Sequence, residues 1–183
     1  MATVVWPSNA KITRQDLRFE LPGQIVLQTE ISGHIQIIDR GYGLWRGNCL
    51  IGTTPDGAEI EGFLTSLAGA RNLVEMPLHR PTIESRVRIT RVSGNSYVLA
   101  SVPGGLVKGA FLRYGFGCFQ ITTVSVRALP TVSIEPSVPI SEDEYFYPAP
   151  TMRIRATDQP PLSPRNPYWW GPWSLSFQEA RVE

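Results

Sequence analysis

Lysine is almost missing from this 183-residue chain: Lys11 and Lys108 are the only two, and the other basic residues are arginines. With a formal net charge of +1 there is no basic field of the kind that neutralises phosphates, so sequence-specific nucleic-acid binding is not expected. The arginine bias suits planar, bidentate and interface contacts, although codon usage in a GC-rich genome produces the same bias. Cysteine is equally scarce. Cys49 and Cys118 lie far apart with no Cys-x-x-Cys spacing, which excludes a disulfide framework or a zinc site built from them and predicts two small buried residues. The two histidines, His34 and His79, have no partner at metal-ligand spacing. No run approaches the about 18 apolar residues of a membrane span, and no charged segment followed by an apolar stretch opens the chain. Cytoplasmic synthesis and folding, with no membrane partner, is the expectation.

Helical patterning is also rare. Thr54 to Asn72 is the one clearly amphipathic stretch, with Ile60, Phe63, Leu64, Leu67 and Ala68 at i, i+3, i+4, i+7 and i+8. Asp56 and Glu59 form a D-x-x-E capping box, or Thr54 caps with Pro55 as the first helical residue; Gly69 or Asn72 supplies the stop. An isolated helix of this length is marginal in water, so its stripe must bury against a sheet.

The rest of the chain reads as short strands separated by turns, in keeping with 16 glycines and 16 prolines. Leu17, Phe19 and Leu21 alternate with polar residues up to Pro22-Gly23, and Ile25 to Ile31 is the next strand. Gly33–Asp39 and Leu44–Ile51 flank Arg40-Gly41-Tyr42-Gly43, the best hairpin signal of the first half. Trp45, Gly47, Cys49 and Ile51 share one face of the second of these strands. Pro77 breaks the strand Leu73–Leu78 and marks an edge or an exit from the sheet. From Ser85 the strands and turns tighten into small-barrel texture. The acidic and aromatic segment SEDEYFYPAP reads as a surface loop or linker, and Met152–Ala156 returns to strand alternation. After a proline-rich loop, Trp173, Leu175 and Phe177 form the buried face of a terminal strand. The expected fold is mainly β: a β-sandwich or split barrel capped by one α-helix, formed by residues 1–84 and 148–183, with a small β-barrel-like domain, 85–147, inserted. In this layout Phe63, Leu64 and Leu67 touch strands from both ends of the chain.

The order of these parts resembles a family of small structural proteins of bacteriophage tails. WPSNAKITRQDLRFELPGQ, a glycine-rich turn with GYGLWRG, the helix AEIEGFLTSLAG and a strand ending in HRP match the family's opening pattern. GLVKGAFLRYGFGCFQITTV resembles its central segment, and WSLSFQEARVE its closing strand. The resemblance implies a distal-tail or tail-tube-like subunit, a β-sandwich or split barrel with one helix. Such subunits assemble as rings, by resemblance hexamers, alongside tube and tip or hub proteins of the virion tail, in the host cytoplasm. A large C-terminal carbohydrate-binding domain is not part of this chain, which argues against a direct host-receptor role.

No catalytic constellation is evident: Ser8, Ser66 and Ser137 lack a G-x-S-x-G elbow, no carboxylate pair suggests divided acid and base roles, and no cofactor is expected. GYGLWRG lacks the spacing of a phosphate loop. The run Glu142, Asp143, Glu144 is a solvated loop or a partner for arginines of a neighbouring subunit, since it lacks the spaced oxygens of a calcium loop. Tyr42, Trp45, Arg46, Tyr145, Arg165, Tyr168, Trp169 and Trp170 are candidate subunit-interface residues; Ile60, Phe63, Leu64 and Leu67 are the helix core. The cluster Asn166 to Ser174 packs on the core or on a neighbour, or is a sugar-stacking platform. The alternative function is accordingly a carbohydrate-binding, host-recognition module.

Overall fold

The computed structural model describes residues 3–20, 24–28, 35–39, 43–67, 72–135, 139–158 and 169–180. In chain order, β1 (Thr3–Val4), β2 (Ile12–Glu20), β3 (Gln24–Gln28), β4 (Ile35–Asp39) and β5 (Leu44–Ile51) precede the helix α1 (Ala58–Ser66). Then come β6 (Leu73–Pro77), β7 (Val87–Ser93), β8 (Ser96–Leu99), β9 (Phe111–Tyr114), β10 (Gly117–Ser125) and β11 (Thr131–Glu135). The last are β12 (Tyr145–Pro148), β13 (Thr151–Ala156) and β14 (Trp173–Glu179). The fold is mainly β, with one helix among the described residues.

Six strands from the two ends of the chain form one sheet in the order β1-β6-β13-β14-β5-β2, and β7 to β12 close a barrel in the order β10-β11-β8-β7-β12-β9. In the sheet, strict alternation buries Trp173, Leu175 and Phe177 of β14 and Trp45, Cys49 and Ile51 of β5. A bulge between Ile12 and Arg14 of β2 puts Ile12 and Gln15, three residues apart, on the same buried side. Gln15 then reaches across the seam left between β2 and β6: its Nε2 donates to the Pro77 carbonyl at 3.1 Å and its Oε1 accepts the His79 N–H at 3.0 Å. The sheet is therefore a split barrel whose seam is closed by a side-chain amide instead of a ladder.

The helix closes this core. Ile60, Phe63, Leu64 and Leu67 belong to one buried cluster with Ala10, Ile12, Ile51, Met76, Met152 and Trp173, and Trp6 meets Phe63 edge-on with ring centroids 5.2 Å apart. Strands from both ends of the chain thus supply the helix's bed. The helix is shorter than its sequence pattern, and neither expected cap is used: its N-cap is Gly57, with no side-chain bond. The reason is local. Thr54 exchanges both backbone hydrogen bonds with Trp170, at 3.0 and 2.8 Å, which ties Thr54 into a β-bridge and keeps it out of the helix. At the other end Asn72 Nδ2 donates to the Ser66 carbonyl at 2.6 Å, satisfying an orphan acceptor through its side chain. Ala68 and Gly69 lie outside the described residues.

Two expectations about strands are corrected. The Arg40–Gly43 stretch does not join a β4–β5 hairpin: β4 pairs with β3, and β5 lies between β2 and β14. The β2–β5 pairing wins because it sets Phe19 edge-on against Trp45, centroids 5.3 Å apart, and runs to Glu20 opposite Leu44. Gly43 serves a close approach there, since a Cβ would come within 2.3 Å of the Phe19 ring. Likewise SEDEYFYPAP is not simply a loop. Its Tyr145–Pro148 half is β12, which closes the barrel between β7 and β9 and buries Phe146 completely against Tyr97.

Candidate functional site: the junction of the two β-bodies

β14 carries its alternation one step beyond the aromatics, and this places Glu179 inside. Glu179 is 2% exposed. Its Oε1 accepts the N–H of Cys118, on β10 of the barrel, at 2.7 Å, and its Oε2 accepts the N–H of Trp45, on β5 of the sheet, at 3.4 Å. Trp45 returns the link: its indole Nε1 donates to the Cys118 carbonyl at 2.9 Å, and its ring lies 5.1 Å from that of Phe111 on β9. A carboxylate in an apolar setting is tolerated only when its lone pairs are met by donors, and here the donors belong to both bodies.

Beside this buried joint lies a half-buried one. Glu75 on β6 meets Arg113 of the barrel at 3.4 Å and Arg153 of β13 at 3.1 Å, and accepts the Thr151 hydroxyl at 2.8 Å. Arg113 also donates to the Thr151 carbonyl at 2.9 Å. The Arg153 guanidinium sits 5.9 Å from the centre of the exposed Phe116 ring. The two cations face two carboxylates, Glu75 here and the buried Glu179 that accepts the Cys118 N–H.

The thiols near this junction are not nucleophiles. Burial pushes Cys49 up to about 12; burial, reinforced by the charge of Glu179 and opposed by Arg113, pushes Cys118 up to about 12. Both stay protonated at neutral pH. Among the described residues no group of three or more His, Cys, Asp or Glu side chains is placed to hold a metal ion, and no helix is long and apolar enough to cross a membrane. What the arrangement does chemically is lock two β-bodies into one unit.

The residues singled out in the sequence do not converge on one surface. Trp45, expected at a subunit interface, is 4% exposed and belongs to the core, because the β5 alternation that exposes Arg46 turns it inward. Arg46 is exposed and pairs with Glu20 at 2.9 Å. Tyr145 is half-buried on the barrel, with the Arg86 guanidinium 5.5 Å from its ring centre. Trp170 packs on Gly57, whose Cβ would come within 2.3 Å of the Trp170 Cβ, while its neighbour Trp169 is 52% exposed and Trp173 is fully buried. Tyr42, Arg165 and Tyr168 lie outside the described residues. The acidic run is used within the barrel: Asp143 pairs with Arg88 and Glu142 accepts the Val92 N–H at 3.3 Å.

Sequence reasoning missed Glu179, Gln15 and the Glu75–Arg113–Arg153 group. Glu179 had a signal, since it stands two residues past Phe177 on a strand whose inward positions were already marked. Gln15 had none, because the bulge that turns it inward leaves no trace in composition.

No protein-family profile and no curated protein sequence matches this chain.

Proposed function

We propose that this protein is a structural subunit of a bacteriophage tail, a distal-tail-like ring protein that links the tail tube to the tip or baseplate. Its work is assembly, not catalysis. The observation that carries this reading is the β3–β4 ribbon. It leaves from the end of the β2–β5 ladder, between Glu20 and Leu44, and among the described residues it pairs with neither the sheet nor the barrel. A two-stranded ribbon is marginal in water by itself. Its backbone partners Ile25 with Ile38 and Val26 with Ile37 are apolar residue types. Such an element is stabilised when a neighbouring molecule covers it. The interlocked sheet and barrel provide the rigid body that a load-bearing ring requires, and the family resemblance supplies the tail setting. Electron microscopy of the purified chain, alone and mixed with tube and tip proteins of the same phage, tests this. Closed rings are expected; a protein that stays monomeric in every mixture contradicts the reading.

A second reading, a carbohydrate-binding module, draws on the exposure of Trp169. With Trp170 packed on Gly57 and Trp173 buried, one indole face remains for stacking on a sugar ring. Titration of tryptophan fluorescence with host-surface glycans separates the two, since a saturable shift lost in Trp169→Ala supports this alternative.

A further inference from the structure

The register of three strands orders the outer face of the sheet into polar rows. Directly opposed residues share a face, so Asp16 of β2, Asn48 of β5 and Ser176 of β14 form one row. Two residues further along, Arg18, Arg46 and Gln178 form the next row on the same face. The row between them, Leu17, Gly47 and Phe177, belongs to the opposite face. Members of both outer rows, with Asp158 two residues past the end of β13, line an open cleft of about 400 Å³.

The charged groups of this cleft are paired from outside it. Arg14 meets Asp16 at 3.0 Å, and Glu20 takes Arg18 at 2.8 Å and Arg46 at 2.9 Å. Neither Arg14 nor Glu20 is a lining residue. The wall itself carries two cations, Arg18 and Arg46, and two carboxylates, Asp16 and Asp158, and so has no net charge. Beside them, the side chains of Asn48 and Ser176 have no hydrogen-bond partner among the described residues.

This lining selects a class of ligand. An anion meets Asp16 and Asp158, a cation meets Arg18 and Arg46, and an apolar molecule buries polar side chains that it cannot satisfy. Neighbouring hydroxyls of a sugar ring both donate and accept, and a pair of them spans the two polar atoms of a carboxylate, an amide or a guanidinium fork. The cleft volume falls within the about 300–1,000 Å³ of small-ligand sites.

We propose that the cleft over β2, β5 and β14 binds a neutral saccharide, whose hydroxyls bridge the row Asp16, Asn48 and Ser176 and the row Arg18 and Arg46. One chain supplies the whole site, so it does not rest on the ring-subunit reading. It is also separate from the exposed Trp169 indole, which is not part of the lining. Without an aromatic face for stacking the affinity is low, with a Kd of about 1 mM.

Saturation-transfer NMR on the full chain tests this, with glucose, galactose, N-acetylglucosamine, lactose and chitobiose as probes. At least one probe is expected to give a saturable signal. Its Kd is expected to rise about tenfold in Asn48→Ala and in Ser176→Ala and to stay unchanged in Trp169→Ala. Circular dichroism verifies that each variant is folded, and Ser176→Ala carries the test should Asn48→Ala not fold. No signal from any probe, or a signal that both cleft variants leave intact, overturns the proposal. A signal lost in Trp169→Ala instead assigns the sugar to that indole and overturns it as well. A chain that binds sugar in the expected way yet stays monomeric with every tail protein defeats the ring reading and leaves the cleft standing.

Discussion

Glu179 and Cys118, 61 residues apart, are joined across the sheet–barrel junction by a 2.7 Å hydrogen bond from the Cys118 N–H to the buried carboxylate. The same carboxylate takes the Trp45 N–H at 3.4 Å, so one side chain serves main-chain donors of both bodies. Glu179→Ala leaves two buried N–H groups without this acceptor and is expected to cost about 2–5 kcal/mol in urea unfolding. Glu179→Gln keeps one acceptor oxygen and is expected to lose less. If the alanine variant unfolds at the wild-type midpoint, the carboxylate does not hold the junction.

Gln15 does comparable work at the seam of the split barrel. Gln15→Ala removes the bonds to the Pro77 carbonyl and the His79 N–H, with an expected loss of about 1–3 kcal/mol. Hydrogen exchange should rise first at His79. An unchanged exchange rate there would show that the seam is closed by something else.

Gly47 sits on β5 opposite Leu17 of its neighbour β2. A Cβ at this position would lie 1.9 Å from the Asp16 carbonyl oxygen and 3.2 Å from the Phe177 ring. The obstructing oxygen is backbone and cannot swing aside. Gly47→Ala is therefore expected to destabilise by about 3 kcal/mol, whereas Gly62→Ala, on the open face of the helix with nothing within 4 Å of its Cβ, should be neutral or stabilising. Paired thermal melts of the two variants check this contrast.

Alkaline pH should weaken the fold through the two thiols. Cys49 and Cys118 titrate near the ordinary 9.0 when unfolded but only at about 12 when folded. The unfolded chain therefore releases their protons first. The stability their burial contributes is complete below pH 9 and is lost as pH rises from 9 to 12, by about 1.4 kcal/mol for each thiol at pH 10. Tyr97 and Tyr114, also raised by burial, add to the fall above pH 10. Unfolding midpoints at pH 8 and pH 10, for the natural chain and for a Cys49→Ala, Cys118→Ala double variant, measure the share of the thiols; an equal decline in both proteins would remove them from the account.

The parts legible in the sequence are those governed by local periodicity. Ile60, Phe63, Leu64 and Leu67 lie one helical turn apart, and Trp173, Leu175 and Phe177 one pleat apart, so their burial follows from spacing alone. What escaped is long-range. The partner of β5 is chosen by Phe19 far upstream and by β14 far downstream, whereas the glycines at 41 and 43 advertise a local turn. β12 hides behind an acidic run and two prolines because only barrel closure makes Tyr145–Pro148 a strand. The shortened helix start depends on Trp170, more than a hundred residues away, and no capping rule contains it.

Native mass spectrometry of the purified full chain tests ring formation most directly. On the proposed ring-subunit reading the expected result is one closed species at an integer multiple of 20.3 kDa, six by the family resemblance. A chain found only at its monomer mass, alone and mixed with phage tube and tip proteins, would contradict the account.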